Sequence, residues 1–190
     1  MYLPNIKSAF FITISLLLIS SFTYAKTPLN ITTIENWIES QAALKNWGKV
    51  HNEVLSASEK TPEEVQNPMK MTVESIVQPL VSAGLYDSAN KLIQRHRFSN
   101  LEEWAKITIR ITTAAAAIEF ENKPNAMNTT ELEELQNSPL ISPEQKALIT
   151  QAINQNKAMV KQLIENTNKE DKQAIKPFLK RIHSLMSEPY

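Results

Sequence analysis

Apolar residues recur along this chain at intervals of three and four, the period of an amphipathic helix, and strand-like alternation is scarce. Ile34, Trp37, Ile38, Leu44, Trp47, Val50 and Val54 form the first stripe, behind a capping box offered by Thr32 and Glu35. Gly48 lies on that stripe, and its cost of about 1 kcal/mol relative to alanine makes it the expected point of any break. Thr61-Pro62-Glu63-Glu64 and Asn67-Pro68 are both helix starts. They precede Met69, Val73, Ile76, Val77, Leu80 and Val81, which run to Gly84. Pro79 lies inside that stripe and predicts a kink, because proline removes a backbone hydrogen bond and crowds the preceding turn.

Tyr86 to Arg97 reads as a short helix with Ala89, Leu92 and Ile93 inward. Ser99 with Glu102 offers the next cap. Leu101, Trp104, Ala105, Thr108, Ile111, Thr112, Ala115 and Ile118 then share one face, while Ile107, Ile109, Ala114 and Ala117 make the opposite face apolar too. A helix apolar on most sides is buried among others, so this is the expected central helix.

Asn122–Asn128, around Lys123-Pro124-Asn125, is the clearest loop and the expected subdomain boundary, 122–128. Thr130 and Glu133 cap a short acidic helix to Asn137. Ser142-Pro143-Glu144-Gln145 opens a long helix with Leu148, Ile149, Ala152, Ile153, Met159, Val160, Leu163 and Ile164 inward. Thr167 and Glu170 cap the last one, whose stripe Ala174, Ile175, Phe178, Leu179, Ile182, Leu185 and Met186 crosses Pro177, a second expected kink. The short connection near Asn166–Asn168 predicts a C-terminal antiparallel helical hairpin. The fold class is therefore all-α, an irregular bundle of six or seven helices with two proline-kinked members.

The first 25 residues stand apart from this pattern. Lys7 precedes an apolar run from Ala9 to Leu18 and a polar exit ending Thr23-Tyr24-Ala25, the layout of a secretory signal peptide. Cleavage after Ala25 leaves a single helical domain, 26–190, expected in the periplasm or outside the cell. The alternative, a retained anchor, is disfavoured by the shortness of the run and its interruption by Thr13 and Ser15.

Composition narrows the chemistry. The chain has 20 basic and 20 acidic residues, so nothing overall draws it to nucleic acid. Absence of cysteine excludes disulfides, thiol catalysis, thiolate metal sites and a lipid-modified N-terminal cysteine. With only two glycines, Gly48 and Gly84, there is no phosphate-cradling loop or nucleophile elbow. No cofactor is expected. His51, His96 and His183 lack the spacing of a helical metal site, and no metal is expected either.

Two basic clusters are candidate anion or partner patches. One is Lys91, Arg95, His96 and Arg97, where a helix C-terminus favours cations anyway. The other is Lys169, Lys172, Lys176 and Lys180, spaced as one face of the last helix, for which a solvated face is the plainer explanation. Glu119, beside the apolar central helix, is the candidate buried acid. Trp37, Trp47 and Trp104 sit on inward stripes and read as core; Met69, Met71, Met159 and Met186 could instead line an adaptable groove.

Ile141-Ser142-Pro143-Glu144-Gln145 resembles the Leu-Thr-x-x-Gln motif of the Spy/CpxP periplasmic chaperone family, with Ile for Leu and Ser for Thr, in one copy. Those residues also make an ordinary capped helix start, and neither fold nor function is taken from the resemblance. The expectation is a non-enzymatic binding, adaptor or chaperone-like factor of the cell envelope, with a protein or envelope-polymer partner and no transmembrane span in the mature chain. The alternative is a hydrolase acting on cell-wall or envelope material through acidic residues such as Glu119.

Overall fold

A computed structural model describes residues 28–58, 71–122, 137 and 141–187. These residues are helical, with no strand among them. The expected leader, the starts at Thr61 and Asn67, residues 123–128 and most of the expected acidic helix lie outside the described residues.

Helix α1 spans Ile31–Val50. Its cap is Asn30, whose side chain accepts from Thr33 N–H at 2.8 Å, so the expected Thr32–Glu35 box is not used. Glu35 instead reaches Arg181. The helix runs through Gly48 and breaks three residues later at His51, where Nδ1 donates to Trp47 O at 2.8 Å. The imidazole also stacks on the Trp47 ring, centroids 4.4 Å apart. After this break comes α2, Asn52–Ser58.

α3 covers Val73–Ser82, with a reciprocal box between Thr72 and Ser75. Pro79 sits within it and the helix continues to Ser82. Gly84, at φ 67°, then reverses the chain, and Leu85 N–H closes the end onto Leu80 O at 2.8 Å. α4 is Tyr86–Arg95 and α5 is Leu101–Asn122.

The α5 start is shifted by one residue from the Ser99–Glu102 expectation. Asn100 accepts from Glu103 N–H at 2.8 Å, and Glu103 accepts from Ser99 N–H at 2.7 Å. Glu102 is engaged elsewhere, by the Tyr86 hydroxyl at 2.9 Å.

α6, Pro143–Asn166, begins with the Ser142–Gln145 capping box. Thr167 and Asn168 lead directly into α7, Lys169–Ile175. At Pro177 the α-helix gives way to a 3-10 turn, Lys176–Phe178, before α8, Leu179–Ser187.

α5 is central, packing against α1, α3, α4, α6 and α7. Its alanine run keeps side chains small where neighbours press close; Ala105, Ala114, Ala115 and Ala117 are all buried. Around it Ile34, Trp37, Ile93, Leu101, Ile111, Ile175 and Ile182 are almost wholly enclosed. Each such large side chain is worth about 1.5–3 kcal/mol relative to exposure. α6 and α7 each lean mainly on α5, with little contact between the two.

Candidate functional site

The polar interior is organised around two linked devices. Trp37 Nε1–H on α1 donates to Thr108 Oγ1 on α5 at 2.9 Å, and Trp104 Nε1–H on α5 donates back to Ser40 Oγ on α1 at 2.8 Å. The hydroxyls pass their own protons to backbone carbonyls: Ser40 to Trp37 O at 2.7 Å and Thr108 to Trp104 O at 2.9 Å. Each tryptophan therefore finds a partner on the opposite helix, and each hydroxyl proton finds a carbonyl on its own.

The second device is a buried ion pair. Arg110 on α5 grips Asp171 on α7 with Nε to Oδ2 at 2.9 Å and Nη2 to Oδ1 at 2.6 Å. Asp171 is only 4% exposed and also accepts Leu29 N–H at 3.0 Å. The segment entering α1 is thereby tied to α5 and α7 at one carboxylate. Sequence reasoning missed this pair. Its available signal was Arg110, a cation set between Ile109 and Ile111 in the most apolar stretch of α5.

The structure divides the basic candidates between paired and exposed side chains. Lys91 and Arg95 are exposed one turn apart on α4, but His96 turns toward Glu39 on α1, Nδ1 to Oε2 3.9 Å. Arg97 is exposed at φ 66°, in the left-handed turn that ends α4. In the lysine series, Lys172 is drawn to Glu121 on α5, and the 3-10 turn at Lys176 interrupts the helical step. Lys169, Lys176 and Lys180 remain exposed. Neighbouring Arg181 pairs with Glu35 at 2.8 Å, so α1 presents Glu35 to Arg181 on α8 and Glu39 to His96 at the end of α4.

Glu119 corrects the buried-acid expectation. Its side chain is 43% exposed and lies 4.0 Å from His183 Nε2, at the rim of α5 where the apolar face has run out. Tyr86 and Glu144 titrate away from their ordinary values. The Tyr86 hydroxyl is held above its usual range, chiefly by its hydrogen bond to Glu102. Glu144 is held below the usual carboxylate range by its own backbone N–H at the start of α6, with Ser142 adding to it.

Among the described residues no three His, Cys, Asp or Glu side chains gather where they could hold a metal ion. No described helix is long and apolar enough to cross a membrane. No family model, curated protein or solved structure matches this chain.

α6 differs from the other long helices in how little of it is enclosed. It spans 24 residues, of which Ile153 and Leu163 are buried. Leu148, on the inward stripe by spacing, is 66% exposed, and Met159 and Ala152 are half-buried. The uncovered side of this helix is one part of the described surface that the core does not consume; Ile31, Val50, Val54, Val81 and Met186 are exposed elsewhere.

Proposed function

We propose that this chain is an exported helical binding protein of the cell envelope, a partner subunit, adaptor or chaperone-like factor that works without catalysis. The observation that carries the reading is α6, a long helix seated on α5 by few side chains, with Leu148 exposed on its uncovered side. Such a helix offers an extended surface to another macromolecule at little cost to the domain's own core. Export is supported by the layout of Lys7, Ala9–Leu18 and Thr23-Tyr24-Ala25. The hydrolase alternative needs paired carboxylates across a cleft. Its named anchor, Glu119, lies instead at an exposed helix rim beside His183.

The test is affinity capture with residues 26–190 as bait in an extract of the source envelope, followed by mixing of the purified components. A reproducible partner that binds the purified chain supports the reading. Repeated capture of nothing overturns it. Location is tested separately, by fractionating cells that express the full chain; a product found in the cytoplasm at full length removes the export component.

A further inference from the structure

Leu29 precedes α1, yet both its side chain and its backbone are seated in the fold. The side chain is buried and belongs to the main core cluster. Its N–H donates to Asp171 Oδ1 at 3.0 Å, and that carboxylate is itself fixed by two bonds from Arg110. The next residue, Asn30, is held in place as the cap of α1. Pro28, immediately before the seat, is exposed. The chain is therefore pinned to α5 and α7 at residue 29, and everything ahead of it leaves from that point.

Only Lys26-Thr27-Pro28 separates this pin from the bond between Ala25 and Lys26, where the leader is expected to be cut. A chain reaches at most about 3.6 Å per residue, so whatever path these residues take, that bond lies within about 13 Å of Leu29. A protease needs its substrate extended on both sides of the bond, and the body of the domain must clear the walls of its cleft. With Leu29 seated, the C-terminal side has three residues to supply both. The reach on the other side is longer. The ten residues from Ile19 to Pro28 span up to about 35 Å, enough for the domain to fold while the apolar run is still held in a bilayer. Folding and processing therefore compete.

We infer that the Leu29–Asp171 contact is a strap that sets the order of events: the leader is cut while Leu29 is out of its seat, and closure of the strap shields the bond after Ala25. The inference rests on the export reading and adds to it a device built into the fold. A precursor that folds first is then cut only through local opening that frees Leu29 while α5 stays intact. Its rate of cutting follows the population of that open form. Asp171 has two tasks in this scheme, holding Arg110 and latching the entering chain.

The test is order of addition, with purified full-length precursor in detergent and purified signal peptidase. In one arm the chain is diluted from urea directly into the peptidase; in the other it refolds first, as checked by circular dichroism. The wild type should be cut roughly tenfold or more slowly once refolded. A six-residue Gly-Ser spacer between Thr27 and Pro28 adds about 20 Å of reach and leaves the residues at the bond unchanged, so that variant should be cut at one rate in both arms. Leu29→Ser, which weakens the seat, should speed cutting of the refolded chain. A wild type cut equally fast in both arms, or a spacer variant as slow as the refolded wild type, overturns the strap and leaves the export reading standing. No cutting of any chain in either arm removes the export reading, and the strap with it.

Discussion

Trp37 donates its indole N–H to Thr108 at 2.9 Å, and the same two helices are joined in the opposite sense by Trp104 and Ser40 at 2.8 Å. The exchange fixes how α1 lies along α5. Advancing along α1 from Trp37 to Ser40 means retreating along α5 from Thr108 to Trp104, so the helices run antiparallel, and a slip of one turn would leave two buried indole N–H groups without acceptors. Among the described residues, no buried side-chain polar atom lacks a partner.

Thr108→Val removes the acceptor for Trp37 while keeping the side-chain shape. It should destabilise the domain by about 1–3 kcal/mol, the cost of stranding a buried donor. Ser40→Ala should do the same through Trp104. Thr108→Val should cost less on a Trp37→Phe chain than on the wild type, since the donor is already gone and only the coupling between the two sites reports the bond. Urea unfolding of the wild type, the two single variants and the double variant measures this; an equal cost of Thr108→Val in both backgrounds would refute it.

The Arg110–Asp171 pair predicts a larger effect. Asp171→Ala leaves the Arg110 guanidinium enclosed without its carboxylate, and breaking a buried pair this way costs about 3–5 kcal/mol. It also removes the acceptor for Leu29 N–H. Hydrogen exchange should therefore show the Leu29 amide losing protection beyond what global destabilisation produces. Equal change at Leu29 and in the middle of α5 would argue against a local tether.

Tyr86 gives the pH dependence. Its folded pKa is raised, chiefly by donation to Glu102, so its contribution is complete below about 10, the unfolded tyrosine value. That contribution is lost as pH rises through the higher folded value. In an alkaline titration followed by tyrosinate absorbance, one tyrosine should ionise late, and Glu102→Gln should bring it back toward the others. An unchanged curve in Glu102→Gln would show that another group raises it.

Arg97 holds φ 66° where α4 ends, a conformation that costs a side chain about 1 kcal/mol relative to glycine. Arg97→Gly should thus raise the melting temperature. The change separates the turn from the patch: an anion site that used Arg97 would lose affinity even as the fold gained stability. A lower melting temperature would mean that the arginine side chain contributes more than its backbone costs.

Much of the helical order was legible from local chemistry. The stripe of α5, apolar on nearly all sides, announced a central helix, and its residues are buried as expected. Ser142 with Gln145 was a sound start for α6. Where two local solutions were close in energy, neighbours chose between them. Ser99-Asn100-Leu101-Glu102-Glu103 permits two capping registers, and the Tyr86 hydroxyl takes Glu102, leaving Asn100 to cap Glu103 N–H while the Glu103 side chain accepts Ser99 N–H. The candidate sites were less legible. Lys172 looked like one member of a solvated stripe until α5 brought Glu121 beside it, and Glu119 looked buried because its helix is apolar, although it lies where that face ends.

By itself, the order of residues determined the class of structure, the position of most helices and which of them would be central. Those properties depend on interactions within three or four residues, where period, caps and prolines act. Only the tertiary structure decided that Arg110 would meet Asp171 across 61 positions, that two tryptophans would trade partners between α1 and α5, and that the outer side of α6 would stay uncovered. A hydrogen bond or ion pair between distant residues has no periodic trace in the chain. It exists because burial makes an unpaired polar group expensive, and that expense is felt only once the helices have come together.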